Sequence, residues 1–252
     1  MAQCNNPITG ISYLFKALPL LTQKGIKSYV IIPLIINILF FSAGIYFGFA
    51  YFAEYMDKML DTSGLWSWVA AIIDLIKPLL YILFGMTLLV LIFYTFSIAA
   101  NIVAAPFNSL LAEATEKYLT GQAMDDSDGF KQIMKDLIPT IIMELRKLIY
   151  MILWSIPFLI ILFVIPVIGP IIWFLFTAWM MSLQYMDYPM GNHKLKFGEQ
   201  RALQAKQRLF SLGFGGVTMG ASMIPFVNFI AMPTAVIAAT MIWVDQYSDS
   251  KS

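Results

Sequence analysis

The stretch LIYMILWSIPFLIILFVIPVIGPIIWFLFTAWMMSLQYM, Leu148–Met186, runs for 39 residues without an Asp, Glu, Lys or Arg. A helix needs about 20 apolar residues to cross a bilayer core. Pro157, Pro166, Gly169 and Pro170 divide this run into Leu148–Ile165 and Ile171–Met186, pieces of 18 and 16 residues. Both pieces fall short of a comfortable crossing. The spacing therefore predicts a helical hairpin that enters the membrane partway, with a proline-rich tip at membrane depth. Irregular backbone at that depth is tolerated only where it is buried in protein or lines a watery cavity.

Three more windows lack charge: Ser28–Ala53, Pro78–Ala112 and Leu209–Val244, of 26, 35 and 36 residues. Together the four windows cover more than half of the 252-residue chain, which is 60% apolar and 12% charged. A soluble domain runs near 45–50% apolar and about 25% charged, so a water-soluble enzyme is excluded. Ser28–Ala53 is long enough to cross, and Pro33 lies in its first turns, where proline costs least. Pro78–Ala112 crosses and continues into Glu113–Leu119 as one long helix, kinked near Pro106. Pro225 and Pro233 break Leu209–Val244 into halves of about 16 and 12 residues, a second hairpin. Ile11–Leu21 carries Lys16 and Pro19, is too short to span, and reads as an interfacial helix.

The fold class is an all-α integral membrane protein with two long transmembrane helices, two partly penetrating (re-entrant) hairpins and amphipathic interfacial helices. As one membrane domain it divides into an interfacial helix (11–24), a spanning helix (28–53), a periplasmic connection (54–77) and a long spanning helix (78–119). A cytoplasmic segment (120–147), a hairpin (148–186), a second cytoplasmic segment (187–208) and a second hairpin (209–244) follow. Trp66 and Trp68 suit a headgroup boundary. Apart from Lys58 and Lys77, the basic residues fall on one face of this topology. The positive-inside rule makes that face cytoplasmic, with both termini on it.

Composition narrows the chemistry. A net charge of +1 gives no field that attracts nucleic acid. Cys4 is the sole cysteine and His193 the sole histidine, which excludes an internal disulfide, a Cys-based metal site or a multi-histidine site. No metal and no other cofactor is expected. Met1–Gly10 lacks a basic start followed by an apolar run, so no cleaved signal peptide is expected. Asp125–Gly129 hints at a calcium loop but lacks the closing glutamate, and reads as a solvated turn. Gly213, Gly215 and Gly216 follow no strand, so close helix packing explains them better than a dinucleotide fingerprint. Membrane-protease signatures are absent.

Some residues admit two readings. Lys24, Gly25, Ile26, Lys27 and Ser28 precede the first spanning helix. Backbone N–H groups at a helix start, flanked by lysines, make an anion site; the alternative is an ordinary positive flank with a glycine break. Asn37, Asn101, Asn108, Gln184 and Asn228 are the amides of the charge-free runs, and either pack helix against helix or line a neutral pathway. Glu113 and Glu116, with Lys117, form either a salt-bridged interfacial turn or part of a gate. His193 is either a proton-sensitive gate or a hydrogen-bonded turn residue.

With these residues in view, the chain resembles the CysZ family of bacterial sulfate transporters. The segments carrying the resemblance are Gly25–Asn37, Ala104–Glu113, Gln184–Lys194, Met223–Pro233 and Trp243–Asp245. The resemblance implies a homo-oligomeric protein of the bacterial cytoplasmic (inner) membrane that admits sulfate for assimilation into cysteine, without an ATPase. It places sulfate contacts at Gly25, Ile26 and Lys27, where lysine replaces the family's arginine and loses its bidentate fork. Ser28 follows where a second arginine is common. The expected function is a sulfate permease or channel. Its binding residues are Lys24–Ser28, with Asn37, Asn101, Asn108 and Asn228 along the path and Glu113 or His193 as gates. The competing expectations are a non-transporting scaffold or regulator of a sulfate system, and a membrane enzyme acting on lipid headgroups.

Overall fold

The computed structural model describes residues 5–121, 129–224 and 227–248; nothing is said of side chains at 53, 96–105, 129–144 and 146. Eight α-helices appear among these residues: α1 Pro7–Ala17, α2 Lys27–Met59, α3 Ser67–Thr120 and α4 Gly129–Val164, then α5 Gly169–Asn192, α6 Phe197–Ala205, α7 Arg208–Met223 and α8 Val227–Ile242. A tight 3-10 turn, Leu18–Thr22, follows α1, and a wide helical turn, Trp243–Tyr247, extends α8. The described residues contain no strand. Four helical stretches are long and apolar enough to cross a membrane: Lys27–Met59, Ser67–Thr95, Lys147–Val164 and Val227–Tyr247. The chain is a multi-pass, all-α membrane protein.

Its helices outrun the charge-free windows, because charged residues continue a helix beyond hydrocarbon without breaking it. Glu54 and Lys58 pair at 2.7 Å one turn apart and carry α2 to Met59. With α3 already begun at Ser67, the expected connection 54–77 shrinks to residues 60–66. Segment 120–147 is largely the start of α4, and α5 runs on to Asn192. Two expected breaks are absent. Pro157 and Pro233 lie within α4 and α8, as membrane helices permit when neighbouring groups serve the freed carbonyl. The second arm of the second hairpin is thus a 21-residue stretch to Tyr247, not about 12. α7, with 16 residues, reaches only about 24 Å and stays short of a core about 30 Å thick.

The chain separates into two compact units, residues 33–103 and the remainder. In the first of these, α2 and α3 run antiparallel. Phe41 meets Phe93 at 6.4 Å, Phe52 meets Tyr81 at 6.1 Å, and the Tyr81 hydroxyl donates to Asp57 at 2.5 Å. Their other faces expose Ile38, Phe47, Leu75 and Ile82, as a surface solvated by lipid requires. In the loop, Asp61 accepts the Ser63 backbone N–H and hydroxyl, both at 2.8 Å, which hold its carboxyl below the usual range.

The other unit is knit around α7, packed against α1 and α5, with α8 closing the bundle. Glycines make this possible. A Cβ on Gly10 of α1 would stand 2.2 Å from the Phe210 carbonyl oxygen, and one on Gly213 of α7 2.1 Å from that of Pro7. On Gly215 it would stand 1.8 Å from the Ala178 oxygen of α5. Close packing is therefore what the glycine run does. Asn6 caps α1, accepting the Ile8 N–H at 2.9 Å. Asn5 caps a distant helix: its carboxamide oxygen accepts the Leu209 and Phe210 N–H groups at the start of α7, at 2.9 and 3.2 Å. Phe210, Phe214, Trp243, Met186, Met190 and Ala235–Ala239 form the core. Both hairpin tips are apolar and bare: Val167 is 81% and Met223 74% exposed.

Candidate functional site

The turn before α2 is closed by its own backbone. The Gln23 carbonyl accepts the N–H groups of Ile26 and Lys27, at 3.1 and 3.0 Å. Gly25 takes a φ of +93°, the left-handed value that a type II turn demands at its third residue. The Ile26 side chain is fully buried and pins the turn into the core. This corrects the expected donor set, since the Ile26 and Lys27 N–H groups already have a partner. What the turn leaves without a partner among the described residues is the N–H of Gly25 and of Ser28, the Ser28 hydroxyl, and two ammonium groups. Lys24, Lys27 and Ser28 are exposed. Among the described residues, Lys24 and Lys27 make no ion pair.

A second polar group lies where α3 leaves the apolar stretch. Asn108 is buried, and its carboxamide donates to the Tyr188 hydroxyl at 3.2 Å and to Met232 Sδ at 3.7 Å. The Lys147 side chain is 4% exposed; its ammonium pairs with Asp187 at 3.0 Å and lies 5.2 Å from the Tyr188 ring centre. His193 Nε2 sits 2.8 and 2.9 Å from the two Glu116 oxygens, so against a carboxylate it is the protonated, donating nitrogen. Its ring lies 4.7 Å from that of Trp243. Beside them, Asn192 and Ser109 exchange two hydrogen bonds, at 2.5 and 2.8 Å. The result joins α3, α4, α5 and α8 through neutral amides, the His193–Glu116 hydrogen bonds and the Lys147–Asp187 ion pair.

The expected residues thus divide. Asn108 and His193 share this polar group. Glu113 does not face His193; it pairs with Lys117 one turn along α3 at 2.8 Å, and Glu116 takes the place beside the histidine. Asn37 belongs to the α2–α3 unit and Asn228 is exposed near the second hairpin tip. The Asn101 side chain and residues 125–128 of the acidic turn lie outside the described residues. Sequence reasoning missed the Lys147–Asp187 pair, treating Lys147 only as positive-inside charge. It also missed the buried glutamines Gln200, Gln204 and Gln207, whose helical spacing was the available signal.

The amino-acid sequence matches a family profile described as "Sulfate transporter CysZ/Etoposide-induced protein 2.4" over residues 13–233. The chain belongs to this family. Relatives agree along its length. It is 37% identical over 243 residues to "Sulfate transporter CysZ" of Pectobacterium atrosepticum, covering 95% of this chain and 86% of that one. It is 34% identical over 254 residues to the protein of that name in Vibrio parahaemolyticus, covering 98% of both. The Pseudomonas aeruginosa protein of the same name is 36% identical over 241 residues, covering 94% of this chain and 95% of that one. The family match includes the turn before α2 and the α3–α5 polar group, so both belong to the shared part of this family member.

Proposed function

We propose that the chain is a sulfate transporter of the bacterial inner membrane, supplying sulfate for cysteine synthesis. The reading is carried by the relatives named "Sulfate transporter CysZ", which match at least 94% of this chain. Their names favour transport over a scaffold, a regulator or a lipid-headgroup enzyme. Sulfate is bound at the Gly25–Ser28 turn at the cytoplasmic end of α2, where Lys24 and Lys27 supply charge and Gly25 and Ser28 supply N–H groups. The rest of its path runs over neutral donors, with Asn108 and Tyr188 central, Asn228 contributing, and the His193–Glu116 pair as the gate. A neutral path suits an ion that must leave as well as enter, since a fixed buried cation holds it too tightly. Both termini face the cytoplasm, and copies of the chain assemble so that the bare hairpin tips are covered by protein or lipid.

Flux of labelled sulfate into proteoliposomes tests this. Uptake well above protein-free vesicles is expected, reduced by unlabelled competing oxyanions. Background-level uptake from correctly assembled protein would reject the reading. Lys27→Ala is expected to weaken sulfate binding about tenfold, a loss of about 1.4 kcal/mol; unchanged calorimetric affinity would remove Lys27 from the site.

A further inference from the structure

Three glutamines form a feature that packing alone leaves unexplained. Gln200 and Gln204 are one turn apart on α6, and Gln207 follows in the turn between α6 and α7. They are 1%, 0% and 0% exposed. Gln200 Nε2 donates to the Leu195 carbonyl at 3.1 Å, and Gln204 Oε1 accepts from Ser182 of α5 at 2.8 Å. Gln200 Oε1, Gln204 Nε2 and both amide atoms of Gln207 have no hydrogen-bond partner among the described residues. Ser211 of α7 closes the group, its hydroxyl donating to the Gln204 carbonyl at 3.4 Å. An apolar side chain of similar size would fill these positions without stranding polar atoms in the interior. Two amide nitrogens and two amide oxygens left open point to a partner that this arrangement excludes.

The helix carrying the first two is built as a strap. α6 has nine residues, with Lys196, Glu199 and Lys206 exposed. It is entered through Lys194 at a φ of +61°, the one non-glycine residue with positive φ among those described. There the Lys194 N–H donates to the Gly191 carbonyl at 2.7 Å and the Leu195 N–H to that of Met190 at 3.1 Å, a left-handed cap that ends α5 and sets α6 off as a segment of its own. Its other end gives way at Gln207, whose backbone is no longer helical.

The geometry points to a second oxyanion subsite. α6 lifts from α5 and α7, and a tetrahedral oxyanion accepts from Gln204 Nε2 and Gln207 Nε2, while the open oxygens of Gln200 and Gln207 turn to water. Gln204 and Gln207 each carry two N–H donors on the open nitrogen and turn about the last torsion to present them. Every donor there is neutral, so the ion is held by hydrogen bonds and released without breaking a charge pair. This inference rests on the sulfate-transport reading and adds a site to it.

The test uses full-length protein carrying Gln207→Met, which keeps side-chain volume and removes both stranded atoms. Thermal unfolding is expected at or above the wild-type temperature, while sulfate flux falls at least tenfold. In the wild type, sulfate is expected to change hydrogen exchange at the backbone amides of residues 197–207. Wild-type flux in the folded variant overturns the subsite and leaves the transport reading intact. No flux in the wild type overturns the transport reading itself. If the variant fails to assemble, exchange decides: amides 197–207 indifferent to sulfate overturn the subsite.

Discussion

Tyr13 donates its hydroxyl to Asp245 at 2.8 Å, joining α1 to the turn after α8. Burial, then this bond to a carboxylate, pushes the phenol up to about 12 from the usual 10. Folding thus favours the neutral phenol. Its contribution is complete below the unfolded value near 10 and is lost as pH rises through about 12. Unfolding in detergent should show a decline in stability across that window that Tyr13→Phe lacks; equal alkaline slopes would count against it. Single residues were the hardest scale to read in the sequence. Asn108 announced itself as an amide in an apolar run, and His193 by being alone. Lys147 and Asp187 gave no such sign, because each stands among other polar residues and only the meeting of α4 with α5 makes them a pair. Glu113 and Glu116 are three positions apart on one helix, so only the crossing of α5 decides which of them faces His193.

At the scale of elements, glycine is the more telling punctuation. Prolines 157 and 233 were read as breaks and are carried inside helices, while Gly213 and Gly215 were read as packing and do that. Hydropathy measures the membrane environment and says nothing of where a helix ends in water, hence the short boundaries for α2, α3 and α4. The two hairpins were legible because a proline-rich tip interrupts an apolar run whatever the exact helix ends. Gly215→Ala tests the packing: a methyl 1.8 Å from the Ala178 oxygen has backbone, not a flexible side chain, in its way. Overpacking of this kind costs about 1–3 kcal/mol. Thermal unfolding should fall accordingly, whereas Gly198→Ala, where nothing lies within 4 Å, should leave it nearly unchanged.

For the whole molecule, orientation is the outstanding physical quantity, and the distribution of lysine and arginine predicts it. A cysteine replacing Ser63 in the α2–α3 loop should react with an impermeant maleimide added to intact cells. One replacing Gly198 on α6 should react only after the membrane is opened, with Cys4 replaced by serine in both. Labelling of both from outside, or of Gly198→Cys alone, would reverse or discard the topology. The multi-pass character was legible early, since charge-free runs are properties of the chain that need no tertiary contact.

The far-reaching contact of Asn5 has a consequence for how the protein is made. Asn5 is made 204 residues before Leu209, whose N–H it accepts, and Gly10 interlocks with the same helix α7. Through most of synthesis α1 has nothing to dock against, so its amphipathic side must rest on the bilayer surface and wait. Only when α7 arrives can α1 be clasped, and its capture becomes the late event that closes the bundle of α1, α5, α7 and α8.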